Sequence, residues 1–131
     1  MIAFDTNMLV RLLVDDHPGQ AALAQRLLAD NTALIPRTVV LETEWVLRSV
    51  YKLPRERMAA FFRLLRQSEN AVVEDHGVVE RALAWYEQGA DFADALHLAA
   101  CDGAEMQTFD DRFCKQAREK GQTPAIKVWK A

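Results

Sequence analysis

Two cysteines among 131 residues, Cys101 and Cys114, cannot build a disulfide framework, and they lack the paired spacing of a zinc site. Both read as reduced thiols, with Cys101 placed in the core. Only five glycines and four prolines are present, which excludes collagen-like and low-complexity chains, and no linker or internal repeat stands out. Long apolar runs are missing too. Met1 to Phe4 meets Asp5 at once, far short of the ~20 uncharged residues of a membrane span, and no charged segment leading into an apolar one marks an export signal. The expected location is the cytoplasm, with no membrane partner. There is also no basic excess: a formal net charge of −3 argues against a protein that grips nucleic acid through a broad cationic face. Any nucleic-acid partner must be held locally.

What is present is an ordinary globular composition, 50% hydrophobic and 27% charged, in a chain long enough for one core and too short for two. Residues 1–131 are expected to form a single domain. Short apolar runs closed by turn-forming residues predict strands at Ile2–Phe4, Ala33–Ile35, Ala71–Val73, Met106–Phe109 and Ile126–Trp129. Helical spacing of apolar residues predicts a helix from Pro18 to Asp30 carrying Ala22, Leu23, Leu27 and Leu28. A second runs from Thr38, as N-cap, to Val50, with Leu41, Trp45, Val46 and Val50 as its apolar stripe, and a third follows Pro54 through Leu65. Further helices are expected at Asp75–Gln88, closed by Gly89, from Asp91, as N-cap, to Ala100, and at Arg112–Lys120, closed by Gly121. Strands alternating with helices imply parallel pairing through right-handed crossovers. The expected fold is α/β, a three-layer sandwich with a mostly parallel central sheet of about five strands.

Sheets of this kind bind ligands beyond the carboxyl ends of their strands. Asp5 ends the first strand, Glu42 lies in the early turns of the helix after the second, and Asp110 follows the fourth. These three can converge on one sheet edge, and Asp94 joins them if its helix begins on the same side. Carboxylates so crowded raise one another's pKa unless a cation compensates, and an all-oxygen set without a Cys/His cluster points to Mg²⁺, with Mn²⁺ as a substitute. A metal held this way, with open positions, can activate water and neutralise a scissile phosphate. It also supplies locally the positive charge that the composition lacks. Thr6, Asn7 and Thr108 are candidates for hydrogen bonds that orient the ligands.

The motifs Asp5-Thr6-Asn7, Glu42-Thr43-Glu44-Trp45-Val46-Leu47, Asp91-Phe92-Ala93-Asp94-Ala95-Leu96-His97-Leu98-Ala99 and Thr108-Phe109-Asp110 resemble the acidic motifs of PIN-domain proteins. Their order, spacing and span along the chain are similar to the VapC-type toxins of bacterial toxin–antitoxin pairs. The resemblance implies a PIN-like fold and a Mg²⁺-dependent endoribonuclease, inhibited by a cognate antitoxin and often homodimeric. It places the acidic catalytic and metal-binding positions on Asp5, Glu42, Asp94 and Asp110, with Thr6 or Asn7 and Thr108 in support. Asp91 and Asp111 sit beside matched positions and could replace or assist them. An abundance of Leu, Trp and Phe in so small a chain suits a dimer interface on the helices predicted at 18–30 and 38–50.

Each acid taken alone has a structural alternative, as strand terminator or helix cap. Together, at sheet-edge positions, they favour the site. His97, on a nearly all-apolar helix, is expected to be a hydrogen-bonded core residue and is left out of the catalytic set. Arg37 and Arg48 flank Glu42 and could meet an RNA phosphate, although a solvated helix face accounts for Arg48 equally well. A rival enzyme class, aspartyl-phosphate-forming phosphotransferases and phosphatases, also places an Asp after the first strand. It wants a second Asp two residues on, where Asn7 stands, and a lysine near strand four, where none occurs. The non-enzymatic rival is a PIN-like module that binds RNA or a partner without turnover.

Overall fold

The computed structural model describes residues 1–131, arranged as two compact units, Met1–His76 and Gly77–Ala131. All five strands fall within the ranges that the sequence predicts, and every pairing is parallel. They are hydrogen-bonded as a three-stranded sheet and a two-stranded sheet.

The first unit contains β1 (Ile2–Ala3), α1 (Thr6–Leu13), α2 (Pro18–Asp30), β2 (Ala33–Ile35), α3 (Arg37–Ser49), α4 (Arg55–Gln67) and β3 (Ala71–Val73). Its strands lie in the order β1-β2-β3, with Ile2 opposite Ala33 and Ala33 opposite Ala71. Phe4, Ala33, Ile35 and Val73 are buried, as the unbroken apolar runs of parallel strands require. Helix α1 is unannounced by the motif reading. It starts directly after β1 because Asp5 accepts a hydrogen bond from the Met8 amide, buries Leu9 and Val10, and packs against α2 and α3.

Two expectations for α3 are corrected. Thr38 is not its cap: Pro36 occupies the N-cap without a side-chain bond, and the carboxylate of Glu74 accepts from the Arg37 amide at 3.0 Å. The core face is also turned from the predicted stripe. Val40, Thr43, Glu44 and Leu47 are buried, whereas Trp45 and Val50 are 55% and 61% exposed. Positions 40, 43, 44 and 47 share a helix face, but Thr43 and Glu44 disguise it as polar. Similarly, α2 buries Ala21 and Ala24 and leaves Leu23 exposed.

Helix α5 (His76–Glu87) begins at the boundary, and the second unit continues with α6 (Phe92–Ala100), β4 (Met106–Thr108), α7 (Lys115–Glu119) and β5 (Ile126–Val128). Gly89, at φ +106°, closes α5 as predicted, with its amide bonded to the Tyr86 carbonyl. The apolar helix α6 buries Phe92, Ala95, Leu96, Leu98 and Ala99. Helix α7 is shorter than the predicted Arg112–Lys120, because Cys114 is left-handed at φ +47° and the chain before it forms turns. The placement expected for Cys101 is corrected. Cys101 is exposed at the end of α6, beyond its apolar stripe, and Cys114 is buried. No helix is long and apolar enough to cross a membrane.

Candidate functional site

The predicted acids occur as one group in each unit. In the first, β1 delivers Asp5 to the start of α1, where one carboxylate oxygen is committed to the Met8 amide at 3.1 Å. The next residue, Thr6, is buried, and its hydroxyl donates to Glu42 on α3. Thr6 thus fixes one acidic side chain. Asn7 joins Asp5, Met8 and Arg11 around a cavity of about 350 Å³. Arg11 is not a free cation there. Its guanidinium donates to Asp16 and Gln20, both at 2.7 Å, and to the Tyr51 hydroxyl at 3.2 Å.

The arginines considered for RNA contact are engaged elsewhere. Arg37 pairs with Glu74 and Asp75 at 3.5 and 3.2 Å, and Arg48 pairs with the buried Glu44 at 2.9 Å. A buried carboxylate needs such a partner to stay charged, so Arg48 is the structural complement of Glu44. Glu44 stands in the motif, but neither its burial nor its pairing with Arg48 is legible there.

In the second unit, Asp91 caps α6 through the Asp94 amide at 3.1 Å. Asp94, in the first turn, is only partly exposed. Burial pushes its carboxyl above the usual range, the charges of Asp91 and Asp110 push the same way, and His97 opposes them. Asp110 follows β4 in a turn held by two bonds. Its amide donates to the Thr108 hydroxyl at 3.0 Å, and its carboxylate accepts from the Arg112 amide at 2.9 Å. Thr108 therefore acts on the backbone that carries Asp110. Asp91, Asp94 and Asp110 line one cavity of about 500 Å³ with Arg112, Cys114 and Gln116. Arg112 was not singled out by the motif, and its guanidinium lies 3.7 Å from Asp110. The two-residue step from a strand-ending Asp to an Arg is the signal that could have marked it. Asp111 is exposed, with its carbonyl accepting from Arg118 at 2.8 Å. His97 is corrected: it is exposed on the far side of α6 from the core.

The PIN domain matches residues 2–119, a range that contains all of these acids. The chain belongs to the PIN-domain family. No curated protein matches it. Among solved structures, it is similar to the crystal structure of Mycobacterium tuberculosis VapC20, a sarcin-ricin loop cleaving toxin, at 19% identity over 99% of this chain and 90% of that one, with a TM-score of 0.45.

PIN-domain nucleases generally use divalent metal ions, and the donors here suit one. They are hard carboxylate oxygens, and those of Asp91, Asp94 and Asp110 line one cavity. No three acidic, histidine or cysteine side chains form a ready-made cage.

Proposed function

We propose that this PIN-domain protein is a Mg²⁺-dependent endoribonuclease, the toxin of a toxin–antitoxin pair, with Asp5 and Glu42 of the first unit and Asp94 and Asp110 of the second as its metal-binding acids. The observation that carries the reading is the convergence of Asp91, Asp94 and Asp110 on one cavity of about 500 Å³, where burial first, and the charges of Asp91 and Asp110 after it, raise the Asp94 carboxyl. A divalent cation offsets those charges, and when bound it supplies charge neutralisation at the phosphate and a more acidic water. The chain's own residues do the rest. Thr6 holds Glu42, Thr108 holds the turn under Asp110, and Asp91 fixes the first turn of α6 on which Asp94 is mounted. Mn²⁺ substitutes for Mg²⁺ in this reading.

Family resemblance also supports a cognate antitoxin and a homodimer in the cytoplasm. Exposed Leu23, Trp45 and Val50 on the α2 and α3 segments offer apolar surface for self-association. The deciding experiment incubates the purified protein with total RNA in Mg²⁺, in Mn²⁺ and in EDTA. Fragments are expected with either metal and none with EDTA. Absence of cleavage with metal, or cleavage that survives both EDTA and Asp94→Asn, overturns the proposal.

A further inference from the structure

Parallel strands β4 and β5 pair in register, with Thr108 opposite Val128. One residue further on, the chain places two large aromatics at matching levels. Phe109 is 77% exposed and Trp129 51% exposed. Adjacent strands lie ~4.8 Å apart, and the pairing continues past Val128, since the Trp129 amide donates to the Thr108 carbonyl at 2.8 Å. Both rings line one almost wholly apolar cavity of about 410 Å³, together with Lys130.

Burying these rings inside the protein would have been the ordinary solution. Instead, Trp129 is held in a set orientation in the open. Its indole N–H donates to the Gln107 side chain at 2.6 Å, and the Gln107 amide in turn donates to Glu105 at 3.0 Å. The ammonium of Lys127 sits 5.0 Å from the Trp129 ring centroid. The patch is therefore a pair of presented aromatic rings with two cations, in a molecule whose net charge is −3.

We infer that Phe109 and Trp129 form a base-stacking subsite for single-stranded RNA, with Lys127 and Lys130 meeting the backbone phosphates. Stacking on aromatic faces combined with nearby cations is the general physics of single-strand binding. An amphipathic helix would need an extended groove with anchors at repeated turns, and the apolar surface here is one short cavity. Lys127 and Lys130 beside the rings favour a polyanion locally. Phe109 immediately precedes Asp110, and the Thr108 hydroxyl that holds the Asp110 amide belongs to the same three-residue segment. A base stacked on Phe109 is thereby held beside an acid of the proposed centre. The subsite rests on the ribonuclease reading for its role, but its binding is measurable apart from cleavage.

The test is fluorescence anisotropy of a labelled 12-nucleotide single-stranded RNA of mixed sequence, titrated with the full chain in EDTA. Wild type should bind it more tightly than a duplex of the same sequence. Phe109→Ala and Trp129→Ala should each weaken binding about tenfold or more, Trp129→Phe should restore most of it, and Lys127→Gln should flatten the salt dependence. Unchanged melting temperatures are expected, because both rings are exposed. Equal affinity of wild type and both alanine variants, or no saturable binding by wild type, overturns the subsite. Unchanged RNA affinity with an altered oligomeric state would assign the patch to a protein contact and overturn it as well. Failure of the ribonuclease reading looks different: RNA binds through the aromatic pair, but no metal-dependent fragments form.

Discussion

At the scale of single residues, Asp91 and Asp94 are three positions apart and do different work. Asp91 is committed to the Asp94 amide, and Asp94 carries the perturbed carboxyl. Asparagine still caps a helix but is a poor, uncharged ligand for a hard cation. Asp91→Asn is therefore expected to keep most Mg²⁺-dependent cleavage, Asp91→Ala to lose about 1 kcal/mol of stability, and Asp94→Asn to lose cleavage with the fold intact. Gel assays beside thermal melts separate these outcomes. Equal loss of cleavage in both asparagine variants would mean that the two acids share the metal. The pH dependence adds a second expectation. A carboxyl raised in the folded state binds its proton more tightly there than in the unfolded chain, so stability falls as pH rises through the interval between the two values. In EDTA, Asp94→Asn should be more stable than wild type above the carboxylate range, and the gap should close in acid. A gap that widens in acid would contradict the assignment.

At the scale of elements, helix α3 offers a sharp contrast within three residues. Leu47 is fully buried and Trp45 is 55% exposed. Leu47→Ala should cost ~2–5 kcal/mol, whereas Trp45→Ala should stay within about 0.5 kcal/mol for the isolated chain, as read by urea unfolding. The opposite ranking would restore the apolar stripe that spacing alone suggests. The start of the same helix depends on Glu74, which lies beyond β3 and accepts from the Arg37 amide. That bond is the main reason the Glu74 carboxyl is lowered from its ordinary value, with the Arg37 charge adding to it. A lowered carboxyl contributes stability above its unfolded pKa and loses it as pH falls. Glu74→Ala should lower the melting temperature at neutral pH and not in strong acid. The same comparison explains what the sequence discloses. Short apolar runs disclose the strands, three of them closed by Asp5, Pro36 and Asp110, and the Asp91 cap and the Gly89 stop are local signals. The α3 cap is not local, because Pro36 and Glu74 are distant in the chain. Its core face was hidden by Thr43 and by Glu44, whose burial depends on Arg48. Helix α1 escaped because eight residues give barely two turns, and Asp5-Thr6-Asn7 reads equally well as a turn.

At the scale of the whole molecule, a net charge of −3 sets how RNA affinity should respond to salt. A protein that binds through many cations loses affinity steeply as salt rises. Two lysine–phosphate contacts on a single strand give a log–log slope of only roughly −1.4. Anisotropy titrations across potassium chloride concentrations in EDTA should return a slope near that value, and a slope steeper than about −4 would reveal a basic track not assigned to this chain. The acidic motifs are short and local, whereas the Phe109–Trp129 pair depends on the β4–β5 register and could not be read from spacing. The unequal exposure of the two cysteines has a practical consequence. Burial, with Asp94 and Asp91 adding to it, pushes the Cys114 thiol up to about 11, so a thiol reagent at neutral pH modifies Cys101 alone. Cys101 follows the last turn of α6, and Asp94 lies in its first, an axial rise of about 10 Å at 1.5 Å per residue. A nitroxide on Cys101 thus becomes a magnetic ruler fixed to the helix that bears Asp94, and paramagnetic Mn²⁺ bound there would broaden its spectrum from a short, known span.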